Sequence, residues 1–349
     1  MKNILVTGAG GPAGLNFINS LLDAPEKTNI ISSDINKFHL ELTPTKDRVI
    51  LPEYEKKNYI EKLNEVIDNY RVDFLHSQPD GEVKIISENR NQIKSKIFLP
   101  AKNTIKICQD KDLSSNIWAK EGILKQSSLI INTKKDIDDA ANIFGYPYWL
   151  RASEGASSRG SSLIKNKETA FHWIEYWKSR NIDWKFIAQD YFNGRNIAFQ
   201  SLWKDGELIV SQARERLEYL YPNLAPSGIT NTPVVAVTIN DKNINDIAYK
   251  SIKAIDKNAS GIFCVDLKED KNKIVRPTEI NVGRFFTTSY FFTKAGVNMP
   301  YYYIKLAFDE EIPKLPKFDA LPKGLYWIRH IDGPAVLIKE GDWKSRKFV

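Results

Sequence analysis

The sequence predicts a mixed α/β protein in three consecutive units, over 1–109, 110–185 and 186–349. Three observations carry that prediction. Through residue 100, short apolar runs alternate with helix-period segments, the pattern of a parallel sheet covered by helices. The alternation restarts near Asp110 with shorter runs. From Phe186 the strands lengthen, and Asp205-Gly206 marks a hairpin turn between two of them.

In the first unit, Asn3–Thr7, Ile30–Asp34 and Phe74–Ser77 read as strands, with a short one at Ile97–Leu99. Pro12–Leu22, Tyr59–Tyr70 and Glu82–Gln92 read as helices. The second unit has helices at Lys111–Glu121, Lys135–Phe144 and Lys167–Arg180, and strands at Gln126–Ile131, Tyr148–Arg151 and Ser161–Ile164. Phe171, Ile174 and Trp177 recur at helical spacing, which assigns them to a core. The third unit offers strands at Phe186–Tyr191, Ile197–Leu202, Leu208–Arg216 and Val234–Thr238, then a helix at Ile244–Ile255. An apolar helix near Met299–Phe308, a Pro-rich wrap over 312–322 and a strand pair over 325–338 close the chain.

The stretch GIFCVDLKEDKNKIVRPTEINVGR, from Gly261 to Arg284, is the most informative. Two apolar runs flank a charged turn, Glu269-Asp270-Lys271-Asn272, and read as a hairpin. Side chains alternate along a strand, so Glu279 and Asn281 share a face. Pairing the strands brings Asp266 beside them. Three hard oxygen donors of this kind suit Mg²⁺ shared with phosphates, and Arg284 follows as an anion holder. A solvated turn with scattered polar residues is the competing explanation.

Composition narrows the classes. Hydrophobic residues make up 42% and charged ones 27%, ample for two or three compact cores. The net charge is +7, with a pI near 9.0. The excess is spread over Lys-rich surface stretches without interleaved aromatics, so nucleic acid is poorly supported, and an anionic small substrate such as a nucleotide explains part of the excess equally well. Cys108 and Cys264 are the only cysteines, too few for a disulfide framework or a zinc site. No apolar run is long enough to span a bilayer, and no signal peptide opens the chain. The expectation is a soluble cytoplasmic protein with no membrane partner. His39, His76, His172 and His330 are scattered without metal spacing.

The N-terminal VTGAGGPAGLNFI places Gly8, Gly10, Gly11 and Gly14 between strand and helix, with Asp34 ending the next strand. It is similar to a dinucleotide-binding fingerprint, although Pro12 and the glycine spacing depart from it. Its readings are an NAD(P) site, a tight turn that packs the helix on the sheet, or a helix N-terminus facing a substrate carboxylate. In SQPDGEV, Asp80 either caps the following helix or, with Glu82, contacts a cationic group at the C-terminal sheet edge.

From about Asp110 to Phe308 the chain resembles the ATP-grasp superfamily, in particular the carbamoyl-phosphate-synthetase large-subunit branch and its carboxylate–amine ligase relatives. DKDLSSNIWAKEGI, GYPYWLRASEGASSRGSSLI, FIAQDYFNGRNIAFQSLW, LAPSGITNTPVV and the hairpin above carry the resemblance. It implies a Rossmann-like pre-ATP-grasp domain over 1–109, then a two-subdomain ATP-grasp fold. The lid would occupy 110–185, and the large subdomain with the metal site and a C-terminal extension 186–349.

The resemblance also implies roles. Lys111 and Arg151 would contact phosphates, and Ala156, Ser157, Ser158, Arg159 and Gly160 would form the loop over the triphosphate. That loop is richer in serine than the family's glycine-rich form. Gln189, Asp190 and Phe192 would hold adenine. Asn196 would meet the ribose, where the family has Glu. Gly228, Ile229 and Thr230 would line the opposite wall. Asp266, Glu279 and Asn281 would bind Mg²⁺, or Mn²⁺ in its place. Arg284, one position later than usual, and Arg214 would be the catalytic cations.

The implied reaction is ADP-forming: ATP phosphorylates a small carboxylate, and an amine attacks the acyl phosphate. The implied partners are small carboxylate and amine substrates, without nucleic acid, and relatives suggest a homodimer. Two alternatives stay open: a non-catalytic or regulatory ATP-binding protein of the same shape, and an NAD(P)-dependent oxidoreductase using the N-terminal turn.

Overall fold

A computed structural model describes residues 1–154, 160–224, 233–331 and 336–342. The first unit contains β1 (Asn3–Thr7), α1 (Pro12–Leu22), β2 (Asn29–Asp34), α2 (Lys37–Leu40), β3 (Asp47–Ile50), α3 (Tyr59–Tyr70), β4 (Phe74–Ser77), α4 (Asp80–Glu88) and α5 (Lys102–Gln109). Its sheet is parallel, in the order β3-β2-β1-β4. The sequence pattern misses α2 and β3, which are four residues each and sit at the open edge. It also misses α5, whose Ile105 and Cys108 are buried while its lysines face out. The strand expected at Ile97–Leu99 reduces to one bridge between Lys96 and Phe74.

The second unit holds α6 (Lys111–Lys120), β5 (Leu129–Ile131), α7 (Lys134–Phe144), β6 (Tyr148–Ala152), β7 (Ser162–Ile164), α8 (Lys167–Ser179) and β8 (Phe186–Asp190). Asp110 starts α6 by accepting from the Asp112 and Leu113 amides. The four strands form an antiparallel sheet, β5-β8-β6-β7, with α7 and α8 on its core of Tyr148, Leu150, Ile164, Ile174 and Phe186. β8 pairs with β5 and β6, so this sheet extends past the boundary expected at residue 185.

The third unit is a seven-stranded antiparallel sheet, β13-β12-β9-β10-β11-β14-β15. It uses β9 (Asn196–Lys204), β10 (Glu207–Tyr219), β11 (Pro233–Ile239), β12 (Gly261–Glu269), β13 (Val275–Val282), β14 (Leu325–Ile328) and β15 (Val336–Lys339), with α9 (Lys242–Ile255), α10 (Tyr290–Lys294) and α11 (Met299–Ala307). The Pro-rich segment crosses the sheet: Ser211 Oγ donates to the Lys317 carbonyl at 2.6 Å.

One face of this sheet packs on α9. The other shares a core with the first unit, where Phe17 and Phe74 meet Phe285 and Tyr303. Each such fully buried side chain is worth about 1.5–3 kcal/mol, so the first unit is docked by core-like packing. The docking brings the C-terminal edge of the parallel sheet, at Ser77 to Asp80, against the end of β13.

Candidate active site

The large sheet lays out its polar groups by register. Glu279 of β13 lies opposite Asp266 of β12, Asp266 opposite Ala198 of β9, and Ala198 opposite Arg214 of β10. Strand alternation puts Asn281 and Arg216 on the same face. The three units enclose above it a cavity of about 850 Å³. Lys111, Arg151, Gln189, Asp190, Phe192, Asn196, Asp266, Glu279, Asn281 and Arg284 all line it, as does Asp80.

Glu279 is the meeting point of two cations from the second unit. Arg151 Nη1 lies 3.4 Å and Lys111 Nζ 3.7 Å from its Oε2. Arg151 is aimed by further bonds, Nε to Gln189 Oε1 at 2.8 Å and Nη2 to the Thr278 carbonyl at 2.6 Å. Burial alone would raise the Glu279 pKa, but Lys111 and Arg151 outweigh it and hold the carboxyl below its ordinary range. Burial lowers the pKa of both cations, against the pull of Glu279.

Asp266 behaves oppositely. Burial raises its pKa, although Arg216 Nη2 binds Oδ1 at 2.5 Å. The two opposed carboxylates offer hard oxygens that fit a divalent cation. Asn281 is placed differently from the expectation. Its Nδ2 donates to Asp266 Oδ2 at 3.0 Å, and its Oδ1 accepts from Arg284. Its oxygen would have to exchange Arg284 for the cation to act as a third ligand. Arg284 is itself gripped by Asp80 through Nε and, at 3.0 Å, Nη2. Asp80 does not cap its helix: Pro79 holds the N-cap position. Glu82 faces inward, accepting from Thr7 and Ser77 hydroxyls, away from any substrate role.

Trp149, Leu124, Tyr191, Phe192 and Ile280 contribute apolar surface to the cavity wall, with the Trp149 and Tyr191 rings stacked at 6.1 Å. Gln126 Nε2 bonds both Asp190 oxygens at 3.2 Å there. Lys268, absent from the sequence-based set, also lines the cavity and donates to the Phe192 carbonyl at 3.2 Å. It follows Asp266 by two residues on β12, so strand alternation could have found it. Asn196 lines the cavity and is engaged with Tyr219 Oη and with Arg216 Nη1 at 3.4 Å, so a ribose contact would have to share or displace these partners.

Arg214 departs furthest from expectation. It is fully buried, does not line the cavity, and lies 4.8 Å from the Phe286 ring and 5.2 Å from that of Phe292. A catalytic cation must reach reacting atoms, and this one sits behind Phe286. Gly160 lies at the loop's end with φ 74°, its carbonyl accepting from Trp173 Nε1 at 2.9 Å. A Cβ there would run into the Trp184 ring. Ala156, Ser157, Ser158 and Arg159, and Gly228, Ile229 and Thr230, lie outside the described residues.

The N-terminal turn is closed on itself. The Gly10 amide donates to Asp34 Oδ2 at 3.1 Å, and the Asn36 amide to Asp34 Oδ1 at 3.0 Å. A side chain at Gly10 would collide with the His39 backbone. The acid expected to hold a ribose therefore braces its own loop, and the tight-turn reading of the glycines is the one that fits.

Comparisons with known proteins agree with this architecture. No family model matches the chain. D-alanine–D-alanine ligase of Clostridium botulinum is 30% identical over 95 residues, which is 27% of this chain and 31% of that enzyme. The match thus spans less than a third of the curated relative. N5-carboxyaminoimidazole synthetase from Staphylococcus aureus, solved with ADP, superposes with a TM-score of 0.68 at 16% identity, covering 95% of this chain and 82% of that one. L-amino acid ligase from Bacillus licheniformis gives 0.68 at 11% identity, covering 94% and 79%. No helix among the described residues is long and apolar enough to cross a membrane. With a parallel α/β unit, a small antiparallel sheet and a large one around a common cavity, the chain has the ATP-grasp fold.

Proposed function

We propose that the protein is an ADP-forming ligase that phosphorylates a small carboxylate with Mg-ATP and passes the acyl group to an amine. The observation that carries this reading is the convergence of Lys111 and Arg151 from the second unit on Glu279 and Asp266 of the third. Two cations and two carboxylates in one cavity suit a triphosphate and its divalent ion. The similarity to ATP-grasp ligases supports the same assignment.

Adenine would lie against the apolar wall at Trp149 and Phe192, near Gln189 and Asp190. Lys111 and Arg151 would shift from Glu279 to phosphate oxygens as Asp266 and Glu279 take the cation. Held there by Asp266 and Glu279, Mg²⁺ (or Mn²⁺) would supply positive charge to balance that of the transferring phosphoryl group. Arg284, released from Asn281 and still held by Asp80, would stabilise the acyl phosphate. Attack by the amine nitrogen on the acyl carbon forms the C–N bond and expels phosphate, with the amine proton passing to solvent. The protein supplies alignment and electrostatics and needs no covalent nucleophile. A cytoplasmic location and a homodimer accord with this role.

The test is ADP release from Mg-ATP across pools of amino acids and small carboxylates. Release that depends on one pool establishes the reaction, and product mass names the acceptor. Tight ATP binding without ADP in any pool would instead favour a regulatory nucleotide-binding protein. Absent ATP binding would overturn both.

A further inference from the structure

Beside the cavity lies a group of buried donors that the reaction above does not use. Arg214 Nε, Nη1 and Nη2, Arg216 Nε and Arg329 Nη2 are all buried without a hydrogen-bond partner among the described residues. The hydroxyls of Thr288 and Ser289, on the segment that carries Phe286 and Phe292, also lack partners among the described residues. Arg214 and Arg216 stand two apart on β10, and the Phe286 ring lies 4.8 and 5.2 Å from their guanidinium carbons. Arg329, just after β14, is fixed from behind, Nε to the Pro233 carbonyl at 2.9 Å and Nη1 to that of Thr287 at 2.8 Å. Its remaining nitrogen is left over.

Leaving guanidinium N–H groups dry and unpaired is costly. Aromatic rings cover the faces of Arg214 but offer its N–H edge no acceptor. Among the described residues, the nearby acid is Asp266, which is already bonded to Arg216 Nη2 and Asn281. Burial and the neighbouring Arg216 lower the Arg214 pKa to about 9, so it is still charged at neutral pH. All these features call for an anion from outside. A planar carboxylate matches the two-pronged edge of a guanidinium. The register places Arg214 two strands from Asp266, on the order of 10 Å across the sheet. Arg216 reaches back to Asp266, whereas Arg214 and Arg329 keep their free N–H groups to one side of it, so an acid held among them would sit beside the group being phosphorylated and suits a second acid on the same small molecule or on its reaction partner.

We propose that Arg214, Arg216 and Arg329 form a subsite for a second, non-reacting carboxylate, entered from the cavity past Phe286. The proposal rests on the ligase reading and narrows its substrates to those carrying an additional acid. The acid belongs either to the carboxylate substrate, making it a dicarboxylate, or to the amine, making it an amino acid.

The test is calorimetric titration of the full chain, with Mg-ADP present, against malonate, succinate, glutarate, butyrate, valerate, β-alanine and propylamine. Binding of a diacid or of β-alanine is expected, with the matching monoacid or propylamine at least tenfold weaker. Arg214→Met should abolish that preference and leave Mg-ADP affinity unchanged. Arg329→Met gives a second route to the same loss should the first variant fold poorly. Loss confined to diacids assigns the group to the carboxylate substrate, and loss confined to β-alanine assigns it to the amine. If no probe binds, or if binding is indifferent to both arginines, the subsite is overturned. Failure of Mg-ADP itself to bind would count against the ligase reading separately, since the carboxylate titrations can be repeated without nucleotide.

Discussion

Asp80 and Arg284 stand 204 positions apart and form a two-pronged ion pair across the joint between the first and third units. The pair lies on the cavity wall, and Arg284 bridges onward to Asn281. The Arg284 pKa is raised because Asp80 more than offsets the effect of burial. Asp80 thus fixes where the guanidinium points. Asp80→Asn keeps the shape but loses the charge and one prong. The expected result is a fall in kcat of about 10- to 100-fold with little change in the KM for ATP. An equal rise in the ATP KM, with kcat unchanged, would mean that Asp80 acts on nucleotide binding instead.

Glu279→Gln tests the cation end. Glutamine keeps the volume but removes the charge that balances Lys111 and Arg151. Turnover should drop by about a hundredfold or more, and the Mg²⁺ concentration needed for half-maximal rate should rise. Stability should fall by about 1–3 kcal/mol, because two largely buried cations lose their carboxylate partner. Circular dichroism should show the fold intact. Retained turnover at ordinary Mg²⁺ would remove Glu279 from the site.

The parts of this site that could be read from the sequence are those governed by strand alternation. Glu279, Asn281 and Asp266 follow from a hairpin whose two strands are visible as apolar runs, and the register confirms their proximity. Lys111 and Arg151 are implied by the family resemblance of DKDLSSNIWAKEGI and GYPYWLR, and both reach the cavity. What escaped depends on contacts between distant segments. Nothing local in SQPDGEV says that Asp80 meets Arg284, because that pairing is made by docking one unit on another. Nothing in QARER says that Arg214 is dry while Arg216 opens on the cavity. The sheet face was readable, but the cover supplied by Phe286 and Phe292 was not. The edge elements α2 and β3 are too short for periodicity to register.

The N-terminal glycines make a separate prediction. Asp34 accepts two backbone amides of its own loop, and the His39 backbone occupies the space beside Gly10. Titration with NADH or NADPH, followed by nicotinamide fluorescence, should therefore show no saturable binding up to millimolar concentration. Saturable binding would restore the oxidoreductase reading. Gly10→Ala should lower stability by about 1–3 kcal/mol through overpacking against backbone, independently of any ligand.

His76, at the end of β4, provides the clearest pH prediction. Its ring stacks on Phe17 with centroids 3.9 Å apart, and Phe285 and Tyr303 meet it edge-on at 5.7 and 5.5 Å. Neither ring nitrogen has a hydrogen-bond partner among the described residues. Burial alone lowers its pKa from 6.5 to about 3. The folded state therefore favours the neutral ring, while the unfolded chain takes up a proton near pH 6.5. The stability tied to this residue is complete above pH 6.5 and is lost progressively as pH falls toward 3. At about 1.4 kcal/mol per unit, the loss approaches 5 kcal/mol at the acid end. His76→Phe should preserve the aromatic stack and flatten the stability profile between pH 6.5 and 4, read as urea midpoints of the two proteins at matched pH. Parallel acid slopes for both would show that His76 is solvated or paired in the folded protein.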